Sequence, residues 1–189
     1  NRSTKEENEY RKDNKMKIRG FEKVSTFEDI NLPQRSTTHA AGYDFEAAED
    51  VVISSIFKSG IGTALKLALN KEEALLNEEM LKQVKPTLVG TGVKAYMGED
   101  EFLQLCNRSS NPLKNYLLLG NGVGVIDSDY YNNADNEGHI MFQFINFGLT
   151  DLKIKKGERI GQGIFLPFLK ADNDETTSDR TGGFGSSGK

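Results

Sequence analysis

The residues best placed to do chemistry are Asp127, Asp129 and Tyr130. They close the stretch Gly120-Asn121-Gly122-Val123-Gly124-Val125-Ile126-Asp127-Ser128-Asp129-Tyr130-Tyr131. Alternating glycines at its start let a ligand come close to main-chain N–H and C=O groups. Val125-Ile126 reads as a buried strand, and a carboxylate at the end of such a strand is held in one position, where it can serve as a base. A polar run, Asn132 to Gly138, follows, and the chain returns as His139-Ile140-Met141-Phe142-Gln143-Phe144. Two apolar runs around a polar turn predict a β-hairpin with a long loop. The stretch reads as a pocket with a catalytic acid at its lip. An ordinary hairpin with a solvated acidic turn has the same local pattern.

Three other stretches carry chemical potential. Ala40-Ala41-Gly42-Tyr43-Asp44-Phe45 sets an acid on a short strand after a glycine. Arg108-Ser109-Ser110, at the end of the alternating run Glu101 to Cys106, offers guanidinium and hydroxyl donors suited to phosphoryl oxygens. A polar turn before Pro112 is the simpler alternative. The run Arg180 to Lys189 is rich in glycine and serine, and its backbone N–H groups can wrap a phosphate. It lacks the Gly-Lys-Ser/Thr of a P-loop between strand and helix. Phe184 within it calls for a stacking partner.

The elements that must position these residues are mostly strands. Strand signals fall on Met16–Phe21, Val51–Ile53, Ile56-Phe57, Leu88–Tyr96, Glu101–Cys106, Leu152–Ile154 and Ile160–Phe168. Nineteen glycines against four prolines suit the many tight turns of an all-β protein. Residues 63–85 differ. Asn70 and Glu73 make a variant capping box, and Ala74, Leu76, Met80, Leu81 and Val84 repeat at helical spacing until Pro86. This predicts a helix over about 71–84, preceded by a shorter one over Ala64–Leu69. Within a strand-rich chain it is an insertion, packed on its own domain or docking a partner. Residues 1–15 are polar and charged, a disordered tail or a remnant of expression, with Met16 as the expected natural start. Residues 171–179 read as a flexible linker.

Composition narrows the class. The 189 residues suit a single domain with a sizeable core, and the net charge of −4 argues against a dedicated nucleic-acid binder. The lone cysteine, Cys106, reads as a buried small residue; it precludes an internal disulfide and suits a reducing cytoplasm. Two histidines and one cysteine far apart argue against a zinc cluster. No apolar run is long enough to span a bilayer as a helix.

Five stretches in order resemble the motifs of the trimeric dUTPase family, in its Gram-positive bacterial or phage branch. They are Ala41-Gly42-Tyr43-Asp44, Arg108-Ser109-Ser110, Gly120 to Tyr130, Gly157-Glu158-Arg159-Ile160-Gly161-Gln162 and Gly183-Phe184-Gly185-Ser186-Ser187-Gly188. The third is nearly a full match. The resemblance implies an all-β, jelly-roll-like β-barrel over residues 16–170 and a flexible C-terminal arm over 171–189. It implies a homotrimer with shared active sites, and Mg2+-assisted hydrolysis of dUTP to dUMP and pyrophosphate. The family pattern has no place for the segment 63–85, which agrees with an insertion.

The resemblance also implies roles. Asp127 is the general base for water attacking the α-phosphorus. Asn121, Val125, Ile126 and Met141 meet the uracil, and Tyr130 packs under the deoxyribose. Arg108, Ser109 and Ser110 hold phosphate oxygens. Gln162 adds a phosphate contact or holds Arg108. Arg180 with the backbone of Gly185, Ser186 and Ser187 clamps the γ end. Phe184 stacks on the uracil, and Asp44 orders water on the metal. Three departures stand out. Ser110 replaces a common glycine, the loop from Tyr130 to Gly138 is longer than Tyr-x-Gly, and three residues rather than four separate Arg180 from Phe184. The alternatives are a dCTP deaminase or bifunctional relative on the same fold, and a nucleotide-gated protein-docking module that uses the insert.

Overall fold

The computed structural model describes residues 17–58, 65, 69, 85–178 and 180. In chain order the strands are β1 (Gly20–Lys23), β2 (Gln34–Arg35), β3 (Tyr43–Glu46), β4 (Val51–Ile53), β5 (Thr87–Gly90), β6 (Val93–Tyr96) and β7 (Glu101–Asn107). After a short helix, α1 (Ser110–Asn115), come β8 (Leu117–Leu119), β9 (Gly124–Asp127), a single 3-10 turn over Ser128–Tyr130, β10 (Met141–Asn146), β11 (Leu152–Ile154) and β12 (Arg159–Pro167).

Two-residue periodicity makes the strands. In β10, Phe142, Phe144 and Asn146 are buried and the residues between them are not, the alternation of a strand with one face on a core. A five-stranded sheet runs β2-β3-β12-β7-β9, a three-stranded sheet runs β5-β10-β8, and β1-β6 and β11-β4 form two pairs. Every strand pairing is antiparallel. Each of these sheets sends side chains into one core: Phe45, Leu103 and Ile160 from the large sheet, Val89, Phe142 and Phe144 from the three-stranded one, with Ala95 and Ile53 from the pairs. Full burial of each phenylalanine contributes roughly 1.5–3 kcal/mol. The two larger sheets meet where the ring of Phe142 lies on Gly161; a Cβ there would stand 2.1 Å from Phe142 Cε1. Glycine at this point of β12 lets the layers close.

The all-β expectation holds, with differences in detail: Ile56-Phe57 forms no strand, and Val125 in β9 is exposed rather than buried. The predicted hairpin does not form: β9 pairs with β7, whereas β10 pairs with β5 and β8. Residues 128–140 therefore carry the chain from one sheet to another. The run Leu88–Tyr96 is two strands, β5 and β6, which break at Thr91-Gly92 and join different sheets. The polar turn after Arg108 is the helix α1. Its Asn111 side chain donates to Asn107 Oδ1 and to the Ile160 carbonyl, both at 2.8 Å, and so ties the turn to β7 and β12. Cys106 is half-buried, with Gln104 Nε2 3.2 Å from its sulfur.

Of the segment 63–85, Leu65 and Leu69 are helical and exposed. The helix expected over 71–84 lies outside the described residues, as does the tail over 1–15. No helix among the described residues is long and apolar enough to cross a membrane.

Candidate active site

Strand β9 ends at Asp127 on the rim of a cavity of about 240 Å³. Among the described residues it is the edge strand of the large sheet, so its outer N–H and C=O groups face no neighbouring strand there. Gly124 starts it. A Cβ there would stand 3.0 Å from Leu105, so the glycine seats the strand tightly on β7. Of the residues assigned to the base and sugar, Asn121, Val125, Ile126, Tyr130 and Met141 all line this cavity, together with Asp127.

Tyr130 is buried, and its hydroxyl donates to the His139 carbonyl at 3.2 Å. The chain turns back at Gly138, whose φ is +83°; a Cβ there would stand 2.5 Å from the Tyr130 carbonyl oxygen. His139 is buried as well, and its Nε2 accepts a hydrogen bond from the Gly92 N–H at 2.8 Å. An accepting Nε2 means a neutral ring protonated on Nδ1. Burial lowers the pKa of His139 below its ordinary 6.5, against a smaller opposing pull from Glu49.

Arg180 shares the cavity. Its Nε lies 2.6 Å from Asp129 Oδ1, its Nη2 pairs with Asp127 Oδ2, and its guanidinium lies 5.9 Å from the centre of the Tyr130 ring. Burial opposes the Arg180 charge, but the hydrogen bonds and charges of Asp129 and Asp127 outweigh it, and the pKa is raised.

The residues assigned to phosphate gather elsewhere. Arg108 donates to the Arg159 carbonyl at 2.9 Å. Ser109 occupies the N-cap position of α1, and Ser110 begins the helix. Asp44 Oδ2 accepts from Ser36 Oγ at 2.6 Å and from Arg159 Nη1 at 3.1 Å. Gln162 Nε2 lies 3.5 Å from the Asn107 carbonyl, and its Oε1 lies over Gly42, where a Cβ would come within 2.2 Å. Arg108 and Ser110 line a second, smaller cavity of about 160 Å³ with Arg159 and Ile160.

Strand β7 sets the spacing between the two groups. Asp127 stands opposite Phe102, near the start of β7, whereas Arg108 follows its last residue, Asn107. The six residue steps from Phe102 to Arg108 span about 20 Å of extended chain. One chain thus separates the acid from the phosphate donors by more than a side chain's reach. Arg180, assigned to the γ-phosphate, sits at the Asp127 end. Phe184, Gly185, Ser186 and Ser187 lie outside the described residues.

Four residues around these cavities were given no role in the sequence. His139, Gln143 and Leu105 also line the larger cavity, and Arg159 holds Asp44. His139 and Gln143 alternate with Met141 along the chain, which was a usable signal once Met141 was assigned. Leu105 has no such signal, because it reaches the cavity from another strand.

Comparison with known proteins shows the family. The dUTPase family model matches residues 74–188. A curated deoxyuridine 5'-triphosphate nucleotidohydrolase of Lactococcus lactis is 49% identical over 177 residues, covering 92% of this chain and 99% of its own. The crystal structure of dUTPase from Streptococcus mutans is 43% identical and superposes with a TM-score of 0.65 over 82% of this chain and 99% of that one. The dUTPase of phage phi11 of S. aureus, at 16% identity, shares the fold with a TM-score of 0.59 over 85% of this chain and 97% of its own. The chain belongs to the dUTPase family, the deoxyuridine 5'-triphosphate nucleotidohydrolases.

Proposed function

We propose that this protein hydrolyses dUTP to dUMP and pyrophosphate in sites shared between the subunits of a homotrimer, with Asp127 as the general base. The observation that carries the reading is the pair of half-sites at opposite ends of β7. Asp127 lies on a cavity lined by Asn121 and Tyr130, and Arg108 with its serines lies about 20 Å away along the strand. A triphosphate whose α-phosphorus is at Asp127 cannot reach the Arg108 of the same chain. A cyclic trimer brings the Arg108 of one subunit to the Asp127 of another.

Uracil enters the larger cavity and meets Asn121, the edge backbone of Val125 and Ile126, and Met141. A site whose donors match uracil leaves them unpaired with cytosine, and a closely packed strand leaves no room for a 5-methyl group. Tyr130 meets the deoxyribose face. Asp127 accepts a proton from the water that attacks the α-phosphorus, and pyrophosphate leaves in line. Arg108, Ser109 and Ser110 hold phosphate oxygens, and Gln162 supports the Asn107 carbonyl beside Arg108. Arg180 exchanges the two aspartates for phosphate oxygens as substrate binds, which frees Asp127 to act as a base. Phe184, Gly185, Ser186 and Ser187 close the site from the arm over 171–189.

The residues present fit Mg2+. Among the described residues both hydrogen bonds to the Asp44 side chain fall on Oδ2, which leaves Oδ1 for a metal-bound water. A hard cation that keeps most of its waters and binds substrate phosphates requires no more from the protein. When bound, it neutralises charge on the triphosphate. The structure of the phi11 enzyme describes a structural Mg(II) ion in that protein.

The family and the lone cysteine support a cytoplasmic enzyme that limits uracil in DNA and supplies dUMP. A second reading, protein docking through the 63–85 insert, draws on Leu65 and Leu69, which are 60% and 75% exposed on a helix. Deleting the insert and measuring turnover and partner capture separately tests it. The main reading is tested by pyrophosphate release from dUTP, dCTP, dTTP and UTP in parallel with Mg2+. Release from dUTP alone is the expected result; release from dCTP or from none of them overturns it.

A further inference from the structure

Tyr130 is held by the long polar loop that follows it. Seven residues, Tyr131 to Glu137, stand between Tyr130 and Gly138. Asn132 and Glu137 both adopt positive φ, 56° and 59°. Such a conformation costs free energy in residues with a Cβ and persists only where its surroundings enforce it. Lys94, itself buried, enforces it from outside by donating to Asn132 Oδ1 at 2.6 Å and to Glu137 Oε2 at 3.0 Å.

Inside the loop two asparagines point their amides at Tyr130. Asn133 Nδ2 donates to the Tyr130 carbonyl and to Asn136 Oδ1, both at 2.9 Å. Asn136 Oδ1 also accepts from the Gly138 N–H at 3.1 Å. This fixes which way the Asn136 amide faces, because its oxygen is engaged on two sides. Its Nδ2 then donates to the Tyr130 hydroxyl at 2.8 Å. The same hydroxyl donates to the His139 carbonyl. The phenol is therefore gripped from both sides, and the ring cannot tilt without breaking a hydrogen bond inside a buried site, where an unmade bond is costly.

We propose that Asn136 is a positioning residue for sugar selection: it locks the Tyr130 hydroxyl, fixes the height of the ring under the sugar, and so sets the discrimination between dUTP and UTP. The proposal rests on the reading of Tyr130 as the sugar-facing ring. A ring held at one height excludes a 2′-hydroxyl by a clash it cannot relieve; a ring free to tilt can relieve it.

The test is a double-mutant cycle on the full chain. Pyrophosphate release from dUTP and from UTP, with Mg2+, is measured for wild type, Asn136→Leu, Tyr130→Phe and the double variant. The expected result is that Asn136→Leu lowers the ratio of kcat/KM for dUTP to that for UTP about tenfold, the worth of one buried hydrogen bond. Tyr130→Phe keeps the ring, removes both hydrogen bonds of the hydroxyl and lowers the ratio at least as much. The double variant loses no more than Tyr130→Phe alone, because that change already removes the bond Asn136 makes to the hydroxyl. A loop that merely loses stability lowers turnover of both substrates alike and leaves the ratio unmoved. Should Asn136→Leu fail to fold, Tyr130→Phe reads the same restraint without touching the loop. An unchanged ratio in the variants, or losses that add in the double variant, overturns the proposal. A wild type that does not hydrolyse dUTP overturns the functional reading itself, whatever the variants do.

Discussion

The two ends of β7 carry different kinds of site. At the Asp127 end, one chain builds a cavity whose walls are hydrogen-bonded and whose backbone approaches closely at Gly124 and Gly138. At the Arg108 end the same chain presents a smaller cavity beside a cluster whose polar groups hold one another: Arg108 on the Arg159 carbonyl, Arg159 and Ser36 on Asp44. In the proposed reading the first takes the base and the sugar, and the second offers charge and hydroxyl donors to a phosphate chain held by another subunit. Recognition of shape needs a fixed wall, which packing on a single core provides. Recognition of charge works at a subunit edge, since its donors reach across to another chain.

The largest effect expected is on the chemistry of the first end. Asp127→Asn lowers kcat for dUTP by about 10²–10⁴-fold, the usual worth of a general base, while calorimetry still detects dUTP binding. Equal loss of binding and turnover would move the base to another residue.

Next is the division between the ends. Arg108→Ala lowers kcat/KM roughly 10- to 100-fold, as for a charge-assisted hydrogen bond. Unfolding the Asp127→Asn and Arg108→Ala chains together and refolding them restores turnover that neither has alone, because some mixed sites combine an intact Asp127 with an intact Arg108. If the mixture is no better than its parts, each chain works by itself and the two-end reading fails.

A smaller effect separates two glycines with similar backbones. Gly138 and Gly157 have φ of +83° and +82°, but a Cβ at Gly138 meets the Tyr130 carbonyl whereas one at Gly157 meets nothing within 4 Å. Gly138→Ala should cost about 1–3 kcal/mol more than Gly157→Ala, from backbone displacement beyond the conformational strain both share. Thermal melting of the two variants measures the difference.

The smallest effect is the pH response of the cavity end. Burial lowers the His139 pKa, so the folded state holds the neutral ring more firmly than the unfolded chain does. Its contribution to stability is complete above the ordinary value of 6.5 and is lost as pH falls through the folded pKa. The carboxylates with lowered pKa, such as Glu22 and Glu101, start from an ordinary 4.5 and respond below that window. Melting temperature should therefore decline between pH 7.5 and 5.5 in wild type and less in His139→Gln. An equal decline in both would assign it to another group.

The strands were legible wherever a residue's partners lie within its own segment. Alternation along Met141–Asn146 marks a half-buried strand without reference to anything else. The pairing of β9 was not legible, because the strand signal at Val125-Ile126 is the same whether the neighbour is β10 or β7. Nearness in sequence favoured β10. The core chose β7, since Gly124 packs on Leu105 and the long loop is taken up by Lys94, Asn133 and Asn136. The helix α1 was missed because its tie, Asn111 to the Ile160 carbonyl, joins residues 49 apart.

By itself the sequence determined the residue types and their order: the acid after an apolar strand, the arginine with its serines, the glycines where backbones must come close, and the all-β character. These follow from local periodicity and from chemistry that each short stretch carries. Only the tertiary structure decided that the acid and the arginine stand at opposite ends of one strand, that Arg180 lies on Asp127, and that Asn136 grips the phenol of Tyr130. Those facts depend on which strands share a sheet. That choice is made by the burial of Phe45, Leu103, Phe142 and Phe144 in one core, a global balance that no single segment encodes.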